Sequence, residues 1–470
     1  MSKRYVVKDN WAVCTDGQIQ QGIVVDSQTT IFAGPQKKLV ATKKDRMEGN
    51  FNCAKLIGAA ALVGTIVGAA AGAFLGVGLG VAIGSRFGLI GSVVGGIVGG
   101  VAGALTGAIT GSVVASVAVR KGMNMFLPSF CSLLTKPFPW SSVHERVYIE
   151  GTPALMPDAK VPCLLLGLVS LAIPDMDEAI RAAYASMFMY CDKNEDEVRP
   201  EGTKMPNFIE DLLGIGEFYD SDGDNYGGQS YADFEKYNPE QFGWKEVNAE
   251  FAASIADEAD VPYERYVITD KDGNQYEHHY FYDNESGTKT ALYETPEGDY
   301  VLVSRGTHNH EEGRSTRDWF DDNKQGLDGK SKQYDDDAKI ARATRKKIGS
   351  DKRLVTTGHS MAGGKTTLSA ATGKSDTSYA FNPAGVHPAM YGKYGVSAKE
   401  AARNTYVFSS KNDFLTNMND NVFIAPNHVG KRIVLDTGSG LLDLTDSHDM
   451  ILLIEAMKQY HNVDVFANED

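Results

Sequence analysis

Apolar and polar residues alternate through residues 4–25, RYVVKDNWAVCTDGQIQQGIVV, with Asp16-Gly17 as a turn signal. That period of two predicts short β-strands. TTIFAGPQKKLVATKKD, residues 29–45, continues it. The pattern then breaks. Residues 56–85 carry no charge and neither do residues 87–119; Arg86 separates the two halves, and Arg120 and Lys121 close the second. Each half exceeds the roughly 20 apolar residues that cross a bilayer as a helix. Glycines fall at 64, 68, 72, 76, 80, 84 and 88, and again at 91, 95, 99, 103, 107 and 111. Four residues slightly exceed one helical turn, so each series winds slowly as a smooth stripe against which another helix backbone can lie closely. The slip between Gly88 and Gly91 places a bend there. The pattern predicts a glycine-zipper, transmembrane-like hairpin over residues 55–121. A hairpin buried in a soluble core is the alternative, but each helical glycine costs about 1 kcal/mol in water.

Strand-like alternation returns in RVYIEGTPALMPDAKVPCLLLGLVSLAI, residues 146–173. Residues 176–260 are acidic and aromatic, and read as a linker with helical parts. PDMDEAIRAAYASMFMYCD has apolar residues at helical spacing. Asp220, Asp222 and Asp224 alternate like the start of a calcium loop. Asn225 and Tyr231 stand where that loop needs Gly and Glu, so the stretch reads as a solvated acidic loop. From residue 261 onward, strand patterns (DYVLVSRG, KRLVTTGHS, TSYAFNP, NTYVFSS, KRIVLDT) alternate with helical ones (STRDWFDDNKQ, DDDAKIARATRKKIG, MAGGKTTLSAATG, SHDMILLIEAMKQY). Such alternation predicts a mostly parallel sheet covered by helices.

A chain of 470 residues has room for several domains. Its net charge of −15 argues against nucleic acid as a partner, because phosphates need Lys and Arg to neutralise them. The opening MSKRYVVKDNW holds no apolar secretory core, which predicts that any export uses another route. Five cysteines are too few, and odd in number, for a disulfide framework. Four of them (Cys14, Cys53, Cys131 and Cys163) flank the apolar run, two on each side. Four thiolates suit tetrahedral zinc, although four small buried hydrophobes would read the same way. Cys191 reads as a plain thiol.

The densest chemistry lies in LVTTGHSMAGGKT. Gly358, His359 and Ser360 sit between a predicted strand and a predicted helix, as in a nucleophile elbow, where small residues permit a sharp turn that exposes the serine. Ala362 occupies the position of the motif's second glycine. A serine nucleophile needs a base, and the base an orienting acid. His448 lies after a predicted strand at the start of the last helix; His428 is the second choice, with His387 and His461 further candidates. Asp413 follows the strand NTYVFSS, with Asp420 and Asp436 as alternatives.

Two resemblances sharpen these readings. Cys14-Thr-Asp-Gly, Ala41-Thr-x-x-Asp45, Asn50-Phe-x-Cys53, Cys131, Pro137-x-Pro-Trp140, Gly151-x-Pro-Ala-Leu155 and Cys163 occur in the order found in PAAR-like spike-tip domains. Asn52 stands where those domains have glycine. The resemblance spans residues 1–175 and implies a small β-rich cone that caps the spike of a contractile injection machine, such as a type VI secretion system. It implies the apolar hairpin as an insertion, and a structural zinc held by Cys14, Cys53, Cys131 and Cys163. The second runs through VLVSRGTHNH, TRDWFDDN, VTTGHSMAGG, AFNPAGV, SSKNDFLT and DSHDM, which resemble the class 3 lipases among the α/β-hydrolases. It implies Ser360 as nucleophile, Asp413 as acid and His448 as base, with Thr307 and the backbone N–H of Met361 as the oxyanion hole.

The expected architecture is therefore multi-domain. A PAAR-like cone over 1–175 is interrupted by the α-helical hairpin at 55–121, and an acidic linker over 176–260 leads to an α/β-hydrolase over 261–470. The expected function is that of an injected antibacterial-type toxin effector that hydrolyses acyl esters of phospholipids. A spike protein, a chaperone for the hairpin and an immunity protein are the partners such a role implies. The chain would be cytoplasmic before delivery and membrane-associated through the hairpin after it. The alternative is a non-catalytic tip or membrane-disrupting protein with an inactive hydrolase fold, a reading that Ala362 favours.

Overall fold

The computed structural model of the chain describes residues 5–33, 37–47, 49–53, 130–190, 236–269, 275–283, 285–306, 329–413, 415–416, 429–438 and 448–461. The glycine-spaced hairpin, the acidic loop at 220–231, Cys191, Thr307, Asp420 and His428 lie outside them. No helix among the described residues is long and apolar enough to cross a membrane. The chain divides into a β-rich unit, residues 1–173 with 417–425, and a helix-covered sheet unit, residues 174–416 with 426–470.

The first unit contains β1 (Trp11–Cys14), β2 (Gln21–Val24), β3 (Phe32–Ala33), β4 (Lys38–Leu39), β5 (Arg46–Met47), α1 (Phe130–Thr135), β6 (Val143–Ile149), β7 (Thr152–Leu155), β8 (Lys160–Pro162) and β9 (Leu168–Ala172). An antiparallel sheet runs β5-β2-β1-β9-β8, with β3-β4 and β6-β7 as separate hairpins. Short turns dictate antiparallel pairing for β1-β2, β3-β4, β6-β7 and β8-β9, since a parallel pair needs a long crossover; β1-β9 and β2-β5 join more distant segments. The motif residues hold this unit together. Asp45 is buried, and its carboxylate accepts from the backbone of Asp26, Ser27 and Thr42 and from the Ser27 hydroxyl. Trp140 donates its indole N–H to the Asp45 carbonyl at 2.9 Å. A Cβ at Gly17 would stand 2.7 Å from the Phe51 Cβ, so that turn requires glycine. Asn52 has φ of 51°, a region that asparagine tolerates better than most residues, which explains how it replaces glycine there. Asn50 Oδ1 accepts the Cys131 backbone N–H at 3.0 Å, so the two ends of the segment between them meet.

Among the described residues, the second unit is built on one nine-stranded sheet: β10 (Lys245–Glu246), β11 (Tyr263–Thr269), β12 (Gln275–Asp283), β13 (Thr288–Glu294), β14 (Tyr300–Ser304), β15 (Leu354–His359), β16 (Thr377–Phe381), β17 (Thr405–Ser410) and β18 (Lys431–Leu435). The order β11 through β18 follows the chain, with β10 paired to β13. The β14–β18 half is parallel, as the strand–helix alternation predicts. The other half is antiparallel, which corrects the expectation of a mostly parallel sheet. The reason is connection length: β11 to β14 follow one another through short links that leave no room for a crossover helix.

Its helices are α2 (Met176–Phe188), α3 (Ala249–Ala259), α4 (Lys332–Ile348), α5 (Met361–Thr372), α6 (Pro388–Lys393), α7 (Ala398–Asn404) and α8 (Met450–His461). They form two layers, because successive side chains of a strand point to opposite faces. On one face of β15, a Cβ at Gly358 would touch Ala362 of α5. On the other, the Thr357 hydroxyl meets Ser186 of α2 at 2.9 Å. α4 packs beside α5, and a fully buried ion pair joins Lys365 to Asp337 at 3.3 Å. α2 packs beside α8.

Residues 176–190, read from sequence as part of a linker, thus belong to the body of the sheet unit. Asp175 caps α2 by accepting the Glu178 N–H. Glu178 then grips Arg353 at the start of β15 through two hydrogen bonds, one of them 2.8 Å, and accepts from the Tyr379 hydroxyl at 2.7 Å. A forked Arg–carboxylate contact of this kind fixes orientation as well as supplying energy.

Candidate active site

β15 runs directly into α5, and Ser360 is the single residue between them. Its backbone has φ of 60° and ψ of −128°, a combination costly for any residue with a Cβ. Three hydrogen bonds hold the turn in place. The Ser360 N–H donates to the Phe381 carbonyl at 2.9 Å, and the Ser360 carbonyl accepts from Gly363 at 2.9 Å and Ala384 at 3.0 Å. The neighbouring small residues are obligatory. A Cβ at Gly358 would fall 2.7 Å from the Ala362 carbonyl oxygen, and one at Gly363 would fall 2.6 Å from the Pro383 Cβ. Ala362 itself is fully buried and accommodated. The close approach falls on Gly363, one position later than the usual motif places it.

The turn aims Ser360 at His448, whose Nε2 lies 2.9 Å from the serine Oγ. His448 Nδ1 lies 2.5 Å from Asp413 Oδ1. Asp413 is fully buried in the loop after β17, and its second oxygen accepts the Thr416 N–H at 2.7 Å. Both carboxylate oxygens therefore have partners, as a buried charge requires. Ser360, His448 and Asp413 come from three separate places in the sequence and form one hydrogen-bonded line. In such a line the imidazole can take the serine proton while the carboxylate fixes its tautomer and balances the imidazolium that forms. Of the other candidates, His387 caps α6 and bonds Ala389, and Asp436 pairs with Lys411 at 2.9 Å; neither joins the line.

Met361 opens α5, so its backbone N–H is among those the helix leaves without an internal acceptor. It is a donor beside the serine of the kind that stabilises an oxyanion. Gly306, the residue before Thr307, lies against the turn: a Cβ there would stand 2.6 Å from the His359 carbonyl oxygen and 3.4 Å from the Ser360 Cβ.

Two side chains that sequence reasoning missed, Asn382 and Tyr190, surround the line together with His359 of the elbow. His359 Nε2 lies 3.0 Å from the His448 carbonyl oxygen. Asn382 Nδ2 donates to that same oxygen at 3.3 Å, while Asn382 Oδ1 accepts the Ser410 N–H at 2.8 Å. The Tyr190 hydroxyl, just after α2, lies 3.3 Å from both His359 Nδ1 and the His359 carbonyl. Burial, followed by the adjacent His448 ring, holds the pKa of His359 well below the ordinary histidine value. A neutral folded histidine that protonates on unfolding lowers stability as pH falls. Below about pH 6.5 the unfolded chain takes up a proton that the folded one refuses, at up to about 1.4 kcal/mol per pH unit. Denaturant titrations between about pH 7 and pH 5 should therefore show a steeper loss of stability for the wild type than for His359→Gln; parallel profiles would contradict this.

The four cysteines of the first unit line one cavity, together with Asp16, Phe51, Leu134 and Leu165. Burial pushes the Cys14 thiol up to about 12 and raises that of Cys131. Backbone N–H groups approach the sulfurs: Leu165 N lies 3.4 Å from Cys163 Sγ, and Phe51 N lies 3.5 Å from Cys131 Sγ. All four remain free thiols. Among the described residues, no three histidine, cysteine or acidic side chains are arranged so as to hold a metal ion.

A model of the Tle-like phospholipase domain matches residues 247–437. The match contains Ser360 and Asp413 and stops before His448. No curated protein matches the chain. Among solved structures, a crystal structure of puromycin hydrolase aligns at 11% identity over 43% of this chain, with a TM-score of 0.21. The alignment spans 40% of the length of that structure.

Proposed function

We propose that the sheet unit is a serine phospholipase of α/β-hydrolase type, with Ser360 as nucleophile, His448 as base and Asp413 as the orienting acid. The observation that carries this is the hydrogen-bonded line from Ser360 through His448 to Asp413, set on a strained strand–helix turn. The phospholipase-domain match supports lipid as the substrate. In the first half-reaction His448 Nε2 takes the Ser360 proton as Oγ attacks the acyl carbonyl carbon. The Met361 N–H, with Thr307, steadies the oxyanion. The tetrahedral adduct then collapses, and His448 returns the proton to the departing alkoxide, releasing a lysophospholipid. Water, deprotonated by His448, attacks the acyl-enzyme, frees the fatty acid and restores Ser360. Against the non-catalytic alternative, which Ala362 favours, stands the turn itself: Ala362 is buried beneath it and Ser360 Oγ lies 2.9 Å from His448 Nε2.

Incubating the full-length protein with phosphatidylethanolamine and phosphatidylglycerol vesicles and analysing products by mass spectrometry tests the reading. Lysophospholipid with free fatty acid is the expected pair. Diacylglycerol or phosphatidic acid would place the cleavage at the phosphodiester and overturn it.

We further propose that the first unit is a PAAR-like spike tip carrying the hydrolase into a target cell, with the glycine-spaced hairpin aiding entry into the membrane. In that role the chain is cytoplasmic before delivery and needs a spike protein, a chaperone for the hairpin and an immunity protein in the producing cell. A structural zinc on Cys14, Cys53, Cys131 and Cys163 belongs to the same proposal. The donor set suits zinc in kind, and all four thiols border one cavity. The side chains as they stand do not form a ligating group, so binding requires them to close inward, and no catalytic step depends on it. Elemental analysis of the full-length protein should find about one zinc per chain, absent from Cys163→Ser. Metal-free wild type would leave the four as plain thiols lining one cavity.

A further inference from the structure

We infer that His359 is a positioning residue for the base: it holds the main chain of His448, and Tyr190 in turn holds His359, so α2 acts on the active site from outside the matched domain. The inference rests on the serine-hydrolase reading above. The His448 carbonyl oxygen can only accept a hydrogen bond. His359 Nε2 lies 3.0 Å away and must therefore carry a proton. That leaves Nδ1 of the neutral ring as an acceptor, facing the Tyr190 hydroxyl at 3.3 Å. The pieces interlock. A Cβ at Gly306 would stand 2.2 Å from the Tyr190 hydroxyl oxygen, so only glycine leaves room for it. The His359 and His448 rings are 4.8 Å apart between centroids, tilted by 40°.

The physical need is clear from where His448 sits. It stands two residues before α8 begins. Its side chain must span Ser360 and Asp413 at once, and a shift of about 1 Å costs on the order of 100-fold in rate. Its carbonyl receives two side-chain donors, His359 and Asn382, both rooted on the sheet. His359 must also stay neutral. A second positive ring beside His448 would oppose the imidazolium that forms when Ser360 gives up its proton. Tyr190 completes the chain. It follows α2, which Glu178 fixes to Arg353 and Ser186 to Thr357. The helix that the sequence presents as a linker thereby supports the base.

The test is steady-state kinetics of full-length variants on phospholipid vesicles, with melting curves alongside. His359→Phe keeps a ring and loses both polar atoms; its kcat should fall about 10- to 100-fold while KM stays within about twofold. His359→Gln restores a donor near the Nε2 position and should recover most of that loss. Tyr190→Phe should lower kcat several-fold in the same pattern. If His359→Phe does not fold, His359→Asn, whose shorter side chain falls short of the carbonyl, takes its place with the same expectation. Ser360-dependent activity that survives His359→Phe, or that falls equally in His359→Gln, overturns the inference alone. A loss confined to KM does the same. Activity that survives Ser360→Ala overturns the underlying reading and the inference with it.

Discussion

Asp413→Asn should lower kcat for phospholipid hydrolysis by about 10³- to 10⁴-fold, with KM and melting temperature nearly unchanged. The substitution preserves shape. The asparagine carbonyl can take over the 2.7 Å bond from the Thr416 N–H, so the loop after β17 keeps its anchor. The amide nitrogen then faces His448 Nδ1, and because it donates, it forces that nitrogen to accept. The proton moves to Nε2, the atom that must be free to receive the Ser360 proton. The tautomer is wrong and the buried negative charge is gone, while nothing in the packing changes. A loss below about tenfold would mean that Asp413 only holds the loop. Asp413→Ala should behave differently: it leaves the Thr416 N–H and His448 Nδ1 without their acceptor, so stability falls along with activity.

The second large effect separates chemistry from strain at Ser360. Ser360→Ala and Ser360→Gly should both lose activity by about 10⁴-fold or more, since neither has a nucleophile. Their stabilities should differ. The φ of 60° and ψ of −128° penalise alanine as they penalise serine, whereas glycine adopts positive φ freely. Ser360→Gly should therefore be more stable than Ser360→Ala by about 1–2 kcal/mol, even though glycine also gains more freedom in the unfolded chain. Guanidinium titrations of the two variants measure the difference. Equal stability, or alanine above glycine, would mean that the turn carries no strain.

The elbow was legible in the sequence because its constraints are local. Gly358, Ser360 and Gly363 lie within six residues, between a run of β-branched residues and a run of small helix formers. Strands β14 to β18 were legible for the same reason, each a short apolar run closed by turn residues. The antiparallel half was not. Its turn signals, such as Asp272-Gly273, stand among polar and aromatic residues with no clean alternation, and pairing depends on connection lengths rather than on composition. The surroundings of the base were hidden for another reason. Tyr190 meets His359 across 169 positions, and Asn382 meets His448 across 66. Nothing in DEAIRAAYASMFMYCD says which strand its apolar face will cover. Its helical spacing was readable and its partner was not, so it passed for a linker. The four cysteines could be grouped from the sequence only by their number and the spike-tip resemblance; that they border one cavity, without the geometry a metal would need, is visible only in the fold.

We propose Ser360 as the activated nucleophile of a phospholipase. Labelling the full-length protein with a fluorophosphonate, mapping the modified peptide and following fatty-acid release in the same samples tests it most directly. The predicted result is one label per chain on the Ser360 peptide, with release falling in proportion to labelling and no label on Ser360→Ala. Release that persists in fully labelled protein, or a label on a different residue, would contradict it.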